Sequence, residues 1–280
     1  MSTAPTVYRR TVEVDGLTTG YLDAGDGEPV VLLHGGEFGA NAELAWERTV
    51  AALASSYRVV APDQLGYGRT AKVIDFTDGR GLRIRHVARF CELLGITGAT
   101  FVGNSMGAVN MLVDAASAAP LLPARRLVAI CGGGEILRND HVSALYDYDA
   151  TLPAMRRIVT ALFHDPAYAD DDAYVQRRYD SSTAPGAWEA IAAARFRRPR
   201  AERGPGTPEP EYERITVPTL FVEGGADKVK PAGWAKQLAA RVAHGRSAVV
   251  DRAGHCPQIE RAEVVNDLLL DFLTDTPEGR

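Results

Sequence analysis

The chain has 280 residues, 46% hydrophobic and 24% charged, with a formal net charge of -5. That apolar content excludes a disordered chain and suffices for one large core, or one core with an insertion, while the acidic balance offers no global attraction to nucleic acid. Cys91, Cys131 and Cys256 stand far apart with no CxxC pair, Cys/His ligand spacing, secretory h-region or bilayer-length apolar run, so no metal, disulfide framework or membrane partner is expected and the expected location is the cytoplasm.

In chain order, TVEVDGLTTGYLDAG alternates with period two around Asp15-Gly16 and predicts a hairpin. PVVLLHGG is a nearly continuous apolar run, as expected of a strand buried on both faces. Glu43 to Leu53 reads as a helix, YRVVAPD as a strand and Leu82 to Leu94 as a helix. ATFVGNS is a strand, Met106 to Ala119 a helix, and RRLVAICGGG a strand ending at a glycine cluster. The alternation predicts an α/β fold, a mostly parallel twisted sheet with helices on both faces.

Strand signals then vanish. VSALYDYDATLPAMRRIVTALF, DDAYVQRRY and GAWEAIAAARF have helical spacing, and RGPGTPEPEYE is loop-like. The basic run RRPRAER at 197–203 reads as a solvated loop face. VPTLFVEGGAD, a helix near Ala232 to Val242, SAVVDRAGH and a helix from Arg261 to Phe272 complete the pattern. The expected division is a core of 1–134 and 213–280 interrupted by a helical insertion at 135–212.

Ligands of open α/β sheets bind beyond the carboxyl ends of the strands, where His34, Ser105, Asp227 and His255 fall. Gly103-Asn104-Ser105-Met106-Gly107 is G-x-S-x-G, whose glycines permit a tight strand-to-helix turn with the hydroxyl exposed. By itself the pattern is weak, and a serine before a helix is also an N-cap type. A serine nucleophile needs a base, and the base an orienting acid. Ser105, Asp227 and His255 supply these types, each after its own strand, so together they are the expected catalytic set. The Met106 N–H is one expected oxyanion donor, and Gly36 of the His34-Gly35-Gly36 loop the other, since a residue without Cβ lets backbone approach substrate. His34 is expected to hold that loop.

On these residues the chain resembles the α/β-hydrolase superfamily over nearly its whole length, with a helical lid at 135–212. Within it, the chain resembles the meta-cleavage product hydrolases, which split a carbon–carbon bond in dienone acids formed by aromatic ring cleavage. The likeness rests on HGGEFGA (34–40), on GNSMG with Asn104 before the serine, on RRYDSSTAPGAWEA (177–190) and on GHCPQIE (254–260). It implies Ser105, Asp227 and His255 as the triad, and Asn104 and Arg178 at the substrate's carboxylate and keto-enolate end, which suits the planar fork of an arginine. It implies a small-molecule carbonyl substrate, no cofactor, and is compatible with a homodimer. Two features depart from many members. Cys256 follows the histidine where tryptophan is common, and HGGEFGA replaces a Gly-Pro step, so Gly35 and Cys256 are expected at the substrate pocket. Cys256 is also read as a packing residue. Tyr146, Tyr148, Phe163 and Trp188 are the aromatics expected to shape the pocket. An esterase or lactonase on the same triad is the first alternative, and a ligand receptor that keeps the triad the second. An aspartate-nucleophile dehalogenase or epoxide hydrolase is disfavoured by Ser105.

Overall fold

The computed structural model describes residues 5–193 and 209–275. β1 (Val7–Val14) and β2 (Leu17–Ala24) form the predicted hairpin, paired antiparallel from Val14 and Leu17 outward. Its two turn residues, Asp15 and Gly16, have φ of 50° and 80°, the left-handed pair that a two-residue turn requires. β3 (Pro29–Leu33), β4 (Arg58–Pro62), β5 (Ala99–Asn104), β6 (Ala124–Ile130), β7 (Thr219–Gly224) and β8 (Gly245–Val250) follow. The sheet order is β1-β2-β4-β3-β5-β6-β7-β8, antiparallel at the first two pairings and parallel from β4 onward.

The continuous apolar runs resolve into two faces. Val31, Leu33, Phe101 and Leu127 enter one apolar cluster, and Val30, Leu32, Val102 and Val128 the other. α2 (Gly79–Leu93), α3 (Met106–Ala115) and α9 (Trp234–Ala239) cover the first, with Phe90, Met111 and Leu238. α1 (Ala42–Leu53) and α11 (Ala262–Thr274) cover the second, with Trp46 and Leu269. Each such side chain stabilises by about 1.5–3 kcal/mol on burial, so a one-residue slip of a central strand would be strongly disfavoured only through misfit of side-chain shapes, both faces being apolar. α3 stops four residues short of the expected Ala119, because the Asp114 carboxylate accepts the N–H groups of Leu121 and Leu122 at 2.9 Å each and draws the chain through Pro120.

Among the described residues, five α-helices lie between β6 and β7: α4 (Asp140–Tyr146), α5 (Leu152–Leu162), α6 (Ala167–Asp170), α7 (Asp172–Thr183) and α8 (Ala187–Ala192). The single helical run expected over VSALYDYDATLPAMRRIVTALF is thus two helices. Ala150 has φ of 59°, Thr151 caps α5 through Ala154 N–H, and Pro153 occupies its first turn, where a missing N–H costs nothing. Met155, Ile158, Val159 and Leu162 pack with Phe38 and Leu44 of the sheet domain, which seats the insertion on the core. The run at 197–203, the end of GAWEAIAAARF and most of RGPGTPEPEYE lie outside the described residues. α10 (Pro257–Glu260) precedes α11. Among the described residues no helix is long and apolar enough to cross a membrane.

His86 on α2 is buried with Nε2 2.9 Å from Thr19 Oγ1, and burial lowers its pKa from 6.5 to about 4. The unfolded chain takes up this proton near pH 6.5 and the folded chain only near 4. Stability is therefore full above pH 6.5 and declines as pH falls towards 4, by about 2 kcal/mol after allowance for partial solvent screening. Melting curves from pH 7 to 4.5 should show a flatter Tm profile for His86→Gln than for the parent. Parallel profiles would refute the assignment.

Candidate active site

Ser105 joins β5 to α3 at φ 49° and ψ -112°, a conformation that costs a non-glycine residue roughly 1–3 kcal/mol and persists only where its surroundings enforce it. Its N–H donates to Ile130 O at 2.9 Å, and its C=O accepts from Val109 N–H at 2.9 Å. The side chain makes no capping bond to α3, so the N-cap alternative is set aside. Oγ instead lies 2.9 Å from His255 Nε2, and His255 Nδ1 lies 2.8 Å from Asp227 Oδ2. Residues 105, 227 and 255 meet because parallel strands β5, β7 and β8 present their carboxyl ends on one edge.

Burial pushes the Asp227 carboxyl up, but the His255 charge and hydrogen bond, the Val229 N–H at 2.7 Å and the Cys131 thiol outweigh it, and the net direction is down. Asp227 is thus held ionised, fit to accept from His255 Nδ1–H and leave Nε2 facing the serine. Cys131, Asp227 and His255 also offer ligand atoms within 4.8 Å of one another, but each is engaged in this hydrogen-bonded cluster.

Gly36 and Met106 flank Ser105 on the cavity wall, and a Cβ on Gly36 would lie 2.9 Å from the Met106 Cβ and sulfur, so only glycine allows this approach. His34, fully buried, holds the loop as expected. Its Nε2 accepts from Gln64 N–H at 2.9 Å, its Nδ1 lies 2.7 Å from Gly35 O, and burial lowers its pKa. Tyr67 Oη donates to Gly36 O at 2.8 Å.

These residues open on a cavity of about 870 Å³. Four residues expected to touch substrate, Gly35, Asn104, Arg178 and Cys256, stand outside the lining of this cavity. Asn104 Nδ2 donates to the carbonyls of Ile130 (3.3 Å) and His255 (3.0 Å), so its amide braces the His255 backbone. The Cys256 thiol is fully buried 3.8 Å from Asn104 Oδ1, and burial pushes its pKa well up, which excludes a reactive thiolate. Arg178 is buried and paired with Glu37, and it is Glu37 that reaches the cavity. Of the expected aromatics only Tyr146 lines the cavity. Tyr148, Phe163 and Trp188 belong to the apolar cluster that joins the insertion to the core, where the Tyr148 ring lies 4.7 Å from that of Phe38.

Several residues that matter to this site carried no mark in the sequence. Cys131 ends β6 at φ 47° and lines the cavity beside Asp227. Lys228 donates to Thr160 O (2.8 Å) and Phe163 O (2.9 Å), and His255 N–H to Leu162 O (2.7 Å). Glu260 accepts from the N–H groups of His164 and Asp165 at 2.8 Å each. The Asp227 and His255 loops are thereby both tied to the end of α5. Glu260 closes GHCPQIE, which was visible; Lys228 needed the fold.

Residues 30–268 match the alpha/beta hydrolase family. The chain is 35% identical over 270 residues to the 2-hydroxy-6-oxo-6-(2'-aminophenyl)hexa-2,4-dienoic acid hydrolase of Metapseudomonas resinovorans, covering 95% of this chain and 90% of that one. It is 30% identical over 269 residues to the 2-hydroxymuconate semialdehyde hydrolase of Pseudomonas sp. strain CF600, covering 95% and 94%. The solved meta-cleavage product hydrolase of Pseudomonas fluorescens IP01, a serine-to-alanine form complexed with acetates, superposes with a TM-score of 0.84 at 26% identity over 94% of this chain and 97% of that one. The elbow serine, the strand-end aspartate and histidine, and these likenesses all agree: the chain belongs to the alpha/beta hydrolase family and, within it, to the meta-cleavage product hydrolases.

Proposed function

We propose that the protein hydrolyses the carbon–carbon bond beside the remote ketone of a 2-hydroxy-6-oxo-dienoate derived from aromatic ring cleavage. The observation that carries this is the hydrogen-bonded chain Ser105–His255–Asp227 facing a cavity of about 870 Å³, in a chain whose relatives are dienoate hydrolases. Ser105 is the nucleophile, His255 the base and later the acid, and Asp227 orients and charge-balances the imidazole. The N–H groups of Gly36 and Met106 hold the oxyanion. Residues 135–212 act as the lid over the site.

The dienol is first ketonised: its hydroxyl proton is lost, the electron pair shifts along the conjugated chain, and a proton carried by His255 is added at the far carbon. Ser105 Oγ then attacks the remote ketone while its proton passes to His255. Collapse of the tetrahedral oxyanion breaks the bond between that far carbon and the ketone carbon. The departing pair is delocalised into the dienoate and protonated by His255. Water, deprotonated by His255, attacks the acyl–Ser105 ester and releases the second carboxylic acid. No step calls on a metal or organic cofactor.

The test is absorbance. Dienone acids with methyl, isopropyl and phenyl ketone ends are compared with p-nitrophenyl acetate and butyrate. Fast loss of the yellow dienolate with slow ester cleavage is expected. Fast ester cleavage over an unchanged dienolate would instead establish an esterase.

A further inference from the structure

Arg178 is 1% exposed, and its Nη2 donates to Glu37 Oε1 at 2.7 Å. Its Nε and Nη1, which carry three of the five guanidinium N–H groups, have no acceptor among the described residues. The rings of Phe163 and Tyr174 lie 5.8 and 5.6 Å from Cζ and keep the group charged without filling its hydrogen bonds. A buried arginine ordinarily has its fork satisfied. Here a single carboxylate oxygen meets a single nitrogen, and three donors are left for an acceptor that the described residues do not supply.

Glu37 differs from Arg178 in reach. It lines the cavity beside Gly36, Ser105 and Met106, while its carboxylate extends back to the guanidinium. Gly35 forms the seat: a Cβ there would overlap Glu37 Oε2 and approach Asn104 Oδ1 to 3.2 Å. Glu37 thus spans the boundary between the open cavity and the buried guanidinium of Arg178.

We propose that Glu37 is a specificity-determining residue: its carboxylate holds Arg178 in the free protein and is displaced into the cavity by the carboxylate of the substrate. The identity of that anion, a conjugated dienone acid, rests on the function proposed above. Two carboxylates on one desolvated guanidinium repel each other, so the incoming group and Glu37 compete for Arg178. The incoming group has the advantage of the three unfilled donors, which can grip both of its oxygens. A small carboxylate with no further contacts gains little over Glu37. A long planar acid that also fills the cavity gains more. Glu37 therefore sets a threshold that every carboxylate must overcome and a neutral ester does not, so that only an anion with further contacts in the cavity binds well.

Glu37→Gln keeps the shape and removes the competing charge. The ratio of KM for the dienone acid to KM for p-nitrophenyl acetate is expected to fall about tenfold, and the inhibition constant of acetate against ester hydrolysis by a similar factor. An unchanged or raised ratio together with an unchanged acetate constant overturns the proposal. Should Glu37→Gln fail to fold, Glu37→Asp, which shortens the reach to Arg178, is expected to shift both quantities in the same direction by a smaller factor, and no shift there overturns it equally. If the parent protein cleaves esters and no dienone acid, the carbon–carbon reading falls, while the acetate constant still decides the role of Glu37.

Discussion

Ser105→Ala is expected to lower kcat on the dienone acid by about 10⁴-fold or more while leaving the melting temperature within a few degrees. The large loss follows because, among the described residues, it is the Ser105 hydroxyl that lies 2.9 Å from His255 Nε2 on the cavity wall. The small stability change follows because the hydroxyl makes no capping bond to α3, and alanine meets the same φ of 49° with the same Cβ. Single-turnover absorbance traces beside a thermal melt make the measurement. Cleavage at a parent-like rate would show that another group forms the acyl intermediate, and a collapse of stability would show that the serine was structural after all.

Gly103→Ala is expected to impair folding strongly. A Cβ at 103 would stand 2.6 Å from Gly107 C and 2.7 Å from Ala108 Cα, and would overlap the Ala108 N–H group. All three are backbone, and β5 cannot retreat because β3 and β6 hold it on either side. Relief must come from moving α3 off the sheet, at a cost of about 3 kcal/mol or more. A Tm fall of roughly 6–12 °C is expected for a domain of this size. Gly95→Ala is the control: it has φ of 69° but nothing within 4 Å of the added Cβ, so only the local backbone penalty of about 1 kcal/mol applies. Equal losses in both variants would mean that packing at the elbow is looser than these contacts describe.

The parallel sheet was legible because its strands are continuous apolar runs, and the elbow because G-x-S-x-G ends one of them. Helix limits were less so. α3 stops at Ala115 because a carboxylate, Asp114, captures two backbone N–H groups beyond Pro120, and α4 and α5 separate at Ala150 and Thr151. Both breaks have local causes, Pro120 and the Thr-x-Pro step, that helical periodicity alone overlooks. The site was legible in its hydrogen-bonded serine, histidine and aspartate and illegible in their neighbours. Arg178 was expected at the substrate, but the carboxylate that holds it, Glu37, stood in HGGEFGA as a departure without a role.

What the sequence determined by itself was the set of groups that form the hydrogen-bonded chain and the edge of the sheet on which they gather. Ser105, Asp227 and His255 are defined by residue type and by position after a strand, and parallel strands carry such positions to one edge whatever the lengths of chain between them. Only the tertiary structure decided which polar groups satisfy one another. Glu37 and Arg178 are 141 residues apart, on a loop of the core and a helix of the insertion. A desolvated charge takes the counter-charge that packing brings within reach, and no local pattern encodes that distance.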